Sequence, residues 1–222
     1  MGFLTIAKIL IIMAIPVALF LFALNLAGFD DSFYKEKFSE YKINDNVPRA
    51  AFLHEKVMDF IQGKSSELPN DFNERERRHL LDVRGIIRIS SIALYVFIAI
   101  FIILLVASAF ILKVNNYIIN FVGKVLLFGG ILTIMLGAIL FFLISSDFLS
   151  VFESFHRLLF EKGTYLFDPS QEILVRLYPE QLFMDLGINM AKWMVISSAI
   201  IILFGAFLLF KPKSKKNKKR GK

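Results

Sequence analysis

Three histidines are the side chains most able to move protons near neutral pH, and the chain has only three: His54, His79 and His156. His79 sits in 75-RERRHLLDVRG-85, with Asp82 three residues on and therefore on the same helical face. That carboxylate could fix the imidazole tautomer or raise its basicity. Arg75 and Arg78 compete for it, so a surface salt-bridge network is the plain alternative. His156 lies between Phe155 and Arg157 in 151-VFESFHRLLF-160, where a bland reading is an interfacial ring with a wet tip. His54 lies beside the apolar stripe of its own helix and is assigned no role. No His-x-x-x-His or His-Glu-x-x-His spacing occurs, so no metal site is expected. Cysteine is absent, which removes disulfides and any thiol nucleophile. Gly63-Lys64-Ser65 resembles the end of a phosphate loop, but Met58 stands where the loop's first glycine belongs, and no Gly-x-Ser-x-Gly elbow exists.

The elements that must position these groups are dictated by hydropathy. Of 222 residues 56% are hydrophobic, and the mean hydropathy is +0.63. Four stretches are long enough to cross a bilayer core, which takes about 20 apolar residues in a helix. They are placed at residues 1–29, 89–112, 118–145 and 188–210. The first is too long for the apolar region of a signal peptide and lacks a small-x-small cleavage site, so it is expected to be retained. Almost no ionisable group lies within the spans away from their ends, which argues against a pump or ion-coupled transporter.

All 19 acidic residues fall in two segments, Asp30–Asp82 and Asp147–Asp185. The N-terminus, the short connection at 113–117 and the tail 211–222 hold none. They carry Lys8, Lys113 and eight basic residues from Lys211 to Lys222, and Lys124 lies near the start of the third span. The positive-inside rule then places both termini in the cytoplasm and the segments 30–88 and 146–187 outside. The net charge of +7 comes largely from the tail. The tail is expected on anionic lipid rather than on nucleic acid.

In the first outer segment, Pro48 opens a helix over Arg49–Gln62 that Gly63 ends, with Phe52, Leu53, Val57, Phe60 and Ile61 forming its apolar stripe. Asn73 caps the next helix, with Glu76 at the third helical position, and that helix can run straight into the second span. In the second outer segment, 151–160 reads as a short amphipathic aromatic helix suited to the headgroup boundary. Asp168-Pro169 marks a turn, and Pro179 opens the helix leading to the last span. The fold class is an all-α integral membrane protein with an outer cap of helices and loops.

The run 78-RHLLDVRG-85 resembles a His-x-x-Asp-Val-Arg/Lys element. The run 155-FHRLLFEKGTYLFDPSQEILVRLYPEQLF-183 resembles a Phe-His element followed by Phe, an aromatic, Phe-Asp-Pro and Pro-Glu-x-x-Phe. In order and spacing these resemble a family of four-span bacterial membrane proteins that includes the lipoprotein intramolecular transacylases. The resemblance covers nearly the whole chain. It implies a diacylglyceryl-cysteine lipoprotein as substrate, with membrane lipids around it and no cofactor. It implies transfer of the sn-2 acyl chain to the cysteine α-amine, with His79 and His156 catalytic and Asp82, Arg84 and Tyr165 in support. Tyr165 stands where tryptophan is expected. Two other readings stay open: a non-enzymatic membrane protein with an interaction cap, and a metal-dependent membrane hydrolase using the same histidines and nearby carboxylates.

Overall fold

A computed structural model describes residues 2–112, 116–161 and 164–210. The described residues form nine helices: α1 (Gly2–Gly28), α2 (Asp31–Glu40), α3 (Ile43–Asn46), α4 (Ala50–Ile61), α5 (Glu74–Leu112), α6 (Asn116–Ser146), α7 (Phe148–Leu159), α8 (Leu174–Leu177) and α9 (Glu180–Phe210). The basic tail 211–222 lies outside the described residues.

Four helices, α1, α5, α6 and α9, are long and apolar enough to cross a membrane. The protein is a multi-pass membrane protein. α6 packs along α9, α1 lies against both, and α5 leans on α1. Leu, Ile and Phe gain nothing by leaving lipid for a protein interior, so close packing must come from small residues. The α6–α9 seam shows this. A Cβ built on Gly205 would stand 2.8 Å from the Gly123 carbonyl oxygen, and one on Gly123 would stand 3.0 Å from the Gly205 oxygen. The two backbones approach this closely because neither position has a side chain.

The helices outrun the apolar stretches. α5 has 39 residues, about 58 Å at 1.5 Å per residue, against a hydrocarbon core of about 30 Å. Its first turns therefore stand clear of the bilayer. The start is fixed as its sequence predicts. Asn73 Oδ1 accepts from the backbone N–H groups of Arg75 (2.9 Å) and Glu76 (3.0 Å), while Glu76 Oε2 accepts from the Asn73 N–H at 2.7 Å. This is a capping box.

Around those first turns sits an apolar cap core that includes Tyr34, Phe38, Ile43, Leu53, Val57, Phe60, Phe72, Leu80, Leu177 and Leu182. α2 and α3 were not expected from the sequence. α2 is amphipathic only weakly and is set by Asp30, whose side chain accepts from the N–H groups of Ser32 and Phe33. α4 begins one residue later than expected, because Arg49 takes the left-handed conformation at φ 60°. It ends at Ile61, one residue before the expected Gln62, which serves as its C-cap, and Gly63 follows at φ 78°, a conformation that favours glycine.

Candidate active site

His79 rides on the extramembrane part of α5, and His156 on the last turn of α7. The fold brings these side chains together from 77 positions apart in sequence. Their ring centroids are 6.2 Å apart and the planes 15° from parallel. Both imidazoles are buried, at 8% and 9% exposure.

Aromatic rings form the walls. Phe160 lies 4.6 Å from His79 and 5.3 Å from His156. Phe167 meets His79 edge-on at 5.2 Å. Phe152 lies 4.1 Å and Tyr165 5.2 Å from His156. α7 presents Phe152 and His156 one turn apart on one face, Phe160 follows at its C-cap, and Tyr165 and Phe167 come from the segment beyond it; Asp147 caps α7 by accepting from the Ser150 N–H. Burial in such walls disfavours an imidazolium. It lowers the pKa of His156 from the ordinary histidine value.

The His156 tautomer follows from its neighbour. Nδ1 lies 2.8 Å from the Phe152 carbonyl oxygen, which can only accept. Nδ1 therefore carries the proton, and Nε2 holds a lone pair ready to take one. His79 Nδ1 is buried and has no hydrogen-bond partner. The pair thus offers proton acceptors in a largely apolar chamber, which suits general acid–base work on a lipid substrate.

The other residues expected at the site divide. Tyr165 is in the wall. Asp82 is exposed and makes no hydrogen bond to His79. The i+3 spacing shares a face, but His79 turns inward to the rings while Asp82 turns to solvent. Arg84 lies five residues past His79, about 140° around the helix. It donates to the Ser65 carbonyl at 3.1 Å and lies over Phe60 at 5.0 Å. It holds the α4–α5 loop, away from the imidazole pair.

His54 is a core residue. Its Nδ1 shares a hydrogen bond with the Tyr178 hydroxyl at 2.9 Å, and its ring lies 4.4 Å from Tyr34. Burial lowers its pKa to about 4.

Two acids matter that the sequence reading left aside or only half used. Glu76, 1% exposed, also accepts from the Leu174 N–H at 2.6 Å and so ties α8 to α5. Glu172, 4% exposed, accepts from the Asp168 N–H at 2.6 Å and pairs with Arg75 at 3.4 Å. Arg75 also donates to the Leu166 carbonyl and lies over the Phe167 ring at 5.2 Å. These contacts hold the segment that carries Tyr165 and Phe167 against the histidines. Among the described residues no three histidine or carboxylate side chains converge as a metal site would need.

The family model for the lipoprotein intramolecular transacylase Lit matches residues 9–183. The chain belongs to the Lit family. The fold also matches the membrane-integral lipoprotein intramolecular transacylase Lit from Bacillus cereus, with a TM-score of 0.81 and 21% identity over 93% of this chain and 95% of that one. Two variants of that protein match as well, one with a histidine-to-arginine and one with a histidine-to-alanine substitution. Each has a TM-score of 0.76 and 21% identity over 93% of this chain, covering 92% and 93% of theirs. No curated protein sequence matches. At this identity the likeness to the Bacillus cereus structures speaks for the fold, and the family match is what connects this Lit chain to lipoproteins.

Proposed function

We propose that this protein is a lipoprotein intramolecular transacylase that works by histidine acid–base catalysis. The substrate is a lipoprotein whose N-terminal cysteine carries a diacylglyceryl thioether. The sn-2 acyl chain moves to the cysteine α-amine, giving an N-acyl lyso-lipoprotein. The observation that carries the reading is the stacked pair His79 and His156 in an aromatic chamber at the end of the helical bundle.

The chemistry balances without a cofactor or a second donor. The amine nitrogen attacks the ester carbonyl and gives up a proton to the lone pair of an imidazole, for which His156 Nε2 is prepared. The new C–N bond forms, the C–O bond to glycerol breaks, and the glycerol oxygen takes a proton from the imidazole pair. The nucleophile and the ester sit in one molecule, so the protein's main task is to hold them in line. No covalent acyl-enzyme is required, which agrees with a chain that has no cysteine. The aromatic walls suit acyl chains, and they exclude the water that would hydrolyse the ester instead.

The charge distribution supports an orientation with both termini in the cytoplasm and the histidine chamber on the extracytoplasmic face. The membrane is then the cell membrane, where lipidated substrates reside.

The deciding experiment is incubation of the purified protein with a synthetic diacylglyceryl lipopeptide, followed by mass spectrometry with fragmentation. Intramolecular transfer leaves the total mass unchanged and moves one acyl chain onto the amine fragment. A hydrolase releases free fatty acid, and an interaction module changes neither fragment. Either of the last two outcomes removes the proposal.

A further inference from the structure

The positive-inside rule predicts few arginines at the cap-side end of a span, yet α5 enters its apolar stretch with Arg84 and Arg88. The two are one turn apart and share a face. They line a cleft of about 610 Å³ between the end of α1, the end of α4 and α5. Asn25, Gln62 and Ser91 add polar groups to it, and Phe29, Ile92 and Tyr95 add apolar ones.

Three features of the cleft point one way. No carboxylate lines it. Among the described residues Arg84 is bonded only to a neutral carbonyl and a ring, and the exposed Arg88 has no ion pair. Two guanidinium charges therefore meet there without a protein counter-charge. Lastly, the lining changes from polar to apolar along α5. Ile92 and Tyr95, at 52% and 71% exposure, continue one and two turns below Arg88 on the lipid-facing surface. A ligand with an anionic head and an apolar tail fits that sequence. A guanidinium's fork of donors suits phosphate oxygens.

We infer that this cleft binds one anionic glycerophospholipid of the surrounding leaflet, its phosphate held by Arg84 and Arg88 and one acyl chain lying along Ile92 and Tyr95. The site is separate from the histidine chamber, which lies on the opposite side of α5. The diacylglyceryl substrate carries no phosphate, so the lipid is not the reactant. It would fix the depth of α5 in the bilayer and hence the height of His79 above it. The inference uses the membrane reading of the helices and stands whether or not the transacylase proposal holds.

The test is native mass spectrometry of the full chain released from detergent micelles containing phosphatidylglycerol or phosphatidylcholine of the same acyl composition. The wild-type protein should keep one phosphatidylglycerol through collisional activation and lose phosphatidylcholine. Arg88→Gln should weaken retention about tenfold or more, the loss of a charge-assisted contact. Arg88 is exposed and has no hydrogen bond or ion pair among the described residues, so the fold should be unaltered; circular dichroism and thermal unfolding check that. Tail lysines also attract anionic lipid, which is why the readout is the difference between wild type and Arg88→Gln. Equal retention of the two lipids, or full retention in Arg88→Gln, would overturn the inference. So would displacement of phosphatidylglycerol by millimolar inorganic phosphate, which would make this an anion site rather than a lipid site.

Discussion

His79 and His156 face each other at 6.2 Å with their rings nearly parallel, a relationship that two distant segments, α5 and α7, create by converging at one end of the bundle. If both imidazoles handle protons in acyl transfer, His79→Ala and His156→Ala should each reduce turnover by about 10²–10⁴-fold. His54→Ala should keep most of the activity of the folded protein, because His54 contacts Tyr34, Phe38 and Tyr178 instead of the chamber. Fragmentation of the lipopeptide product reads each case. Full turnover in the double variant His79→Ala, His156→Ala would return the protein to a non-enzymatic role.

The pH profile separates the enzyme's proton demand from the substrate's. The substrate α-amine has a pKa of about 7.7–8.0 and must be neutral to attack. Burial holds the pKa of His156 below the ordinary histidine value, so its protonation is displaced to the acid side of that value. Below about pH 7.7, kcat/KM should fall roughly tenfold per pH unit, with no steepening as the pH passes about 6.5. A slope that doubles below that point would mean the imidazole titrates as if exposed. Stability shares the acid side. His54, lowered to about 4 in the fold, takes a proton more readily in the unfolded chain. The stability it contributes is intact above about pH 6.5 and declines as the pH falls toward 4. Thermal unfolding in detergent at graded pH should show that decline, reduced in His54→Leu.

Glu76 offers a prediction about folding rather than chemistry. Its two oxygens accept from the N–H groups of Asn73 and Leu174. Glu76→Ala leaves two donors without that acceptor in a buried place, at about 1–3 kcal/mol for each. Glu76→Gln keeps one acceptor oxygen and should lose less. Unfolding midpoints of the two variants should fall in that order, and equal midpoints would show that the link from α5 to α8 carries little.

Orientation is open to a direct measurement. A tag inserted near Ser65, in the loop between α4 and α5, should be reached by an impermeant reagent added to intact cells. A reporter fused after Lys222 should report the cytoplasm. The reverse result at either place would invert the active-site face.

Periodicity and hydropathy made much of the framework legible. The four long apolar helices, the Asn73–Glu76 cap and the Gly63 stop each depend on residues within a few positions of one another, and such local rules leave clear marks. α2 left little mark, since its ten residues pair a weak apolar stripe with Asp, Lys and Glu, and its stability comes from packing against His54 and Tyr178. At the site, the histidine pair was reachable through the family's motifs. The positions of Asp82 and Arg84 were not, because helical spacing gives a face but not which neighbour fills it. Glu172 and Arg88 were missed for a related reason. One acts through a contact 97 positions away, and the other is notable only for the carboxylates that its cleft lacks.

Arg75 was expected to compete for Asp82, and instead it organises the wall of the chamber. It donates to the Leu166 carbonyl, pairs with buried Glu172 and lies over Phe167, whose ring meets His79. Removing it should leave α5 intact, since its side chain is 44% exposed and no cap depends on it. The segment from Leu166 to Glu172 would lose its anchor to α5, and Glu172 would keep a buried charge without its cation. Arg75→Ala should therefore raise KM and lower kcat together, about tenfold or more in kcat/KM, through misplacement of the aromatic wall. Arg75→Lys restores the charge but not the flat fork that bonds and stacks at once, so it should rescue only part. The check is steady-state kinetics on the synthetic lipopeptide, alongside tyrosine fluorescence to follow Tyr165. Wild-type kinetics in Arg75→Ala would show that the wall holds its place without this anchor.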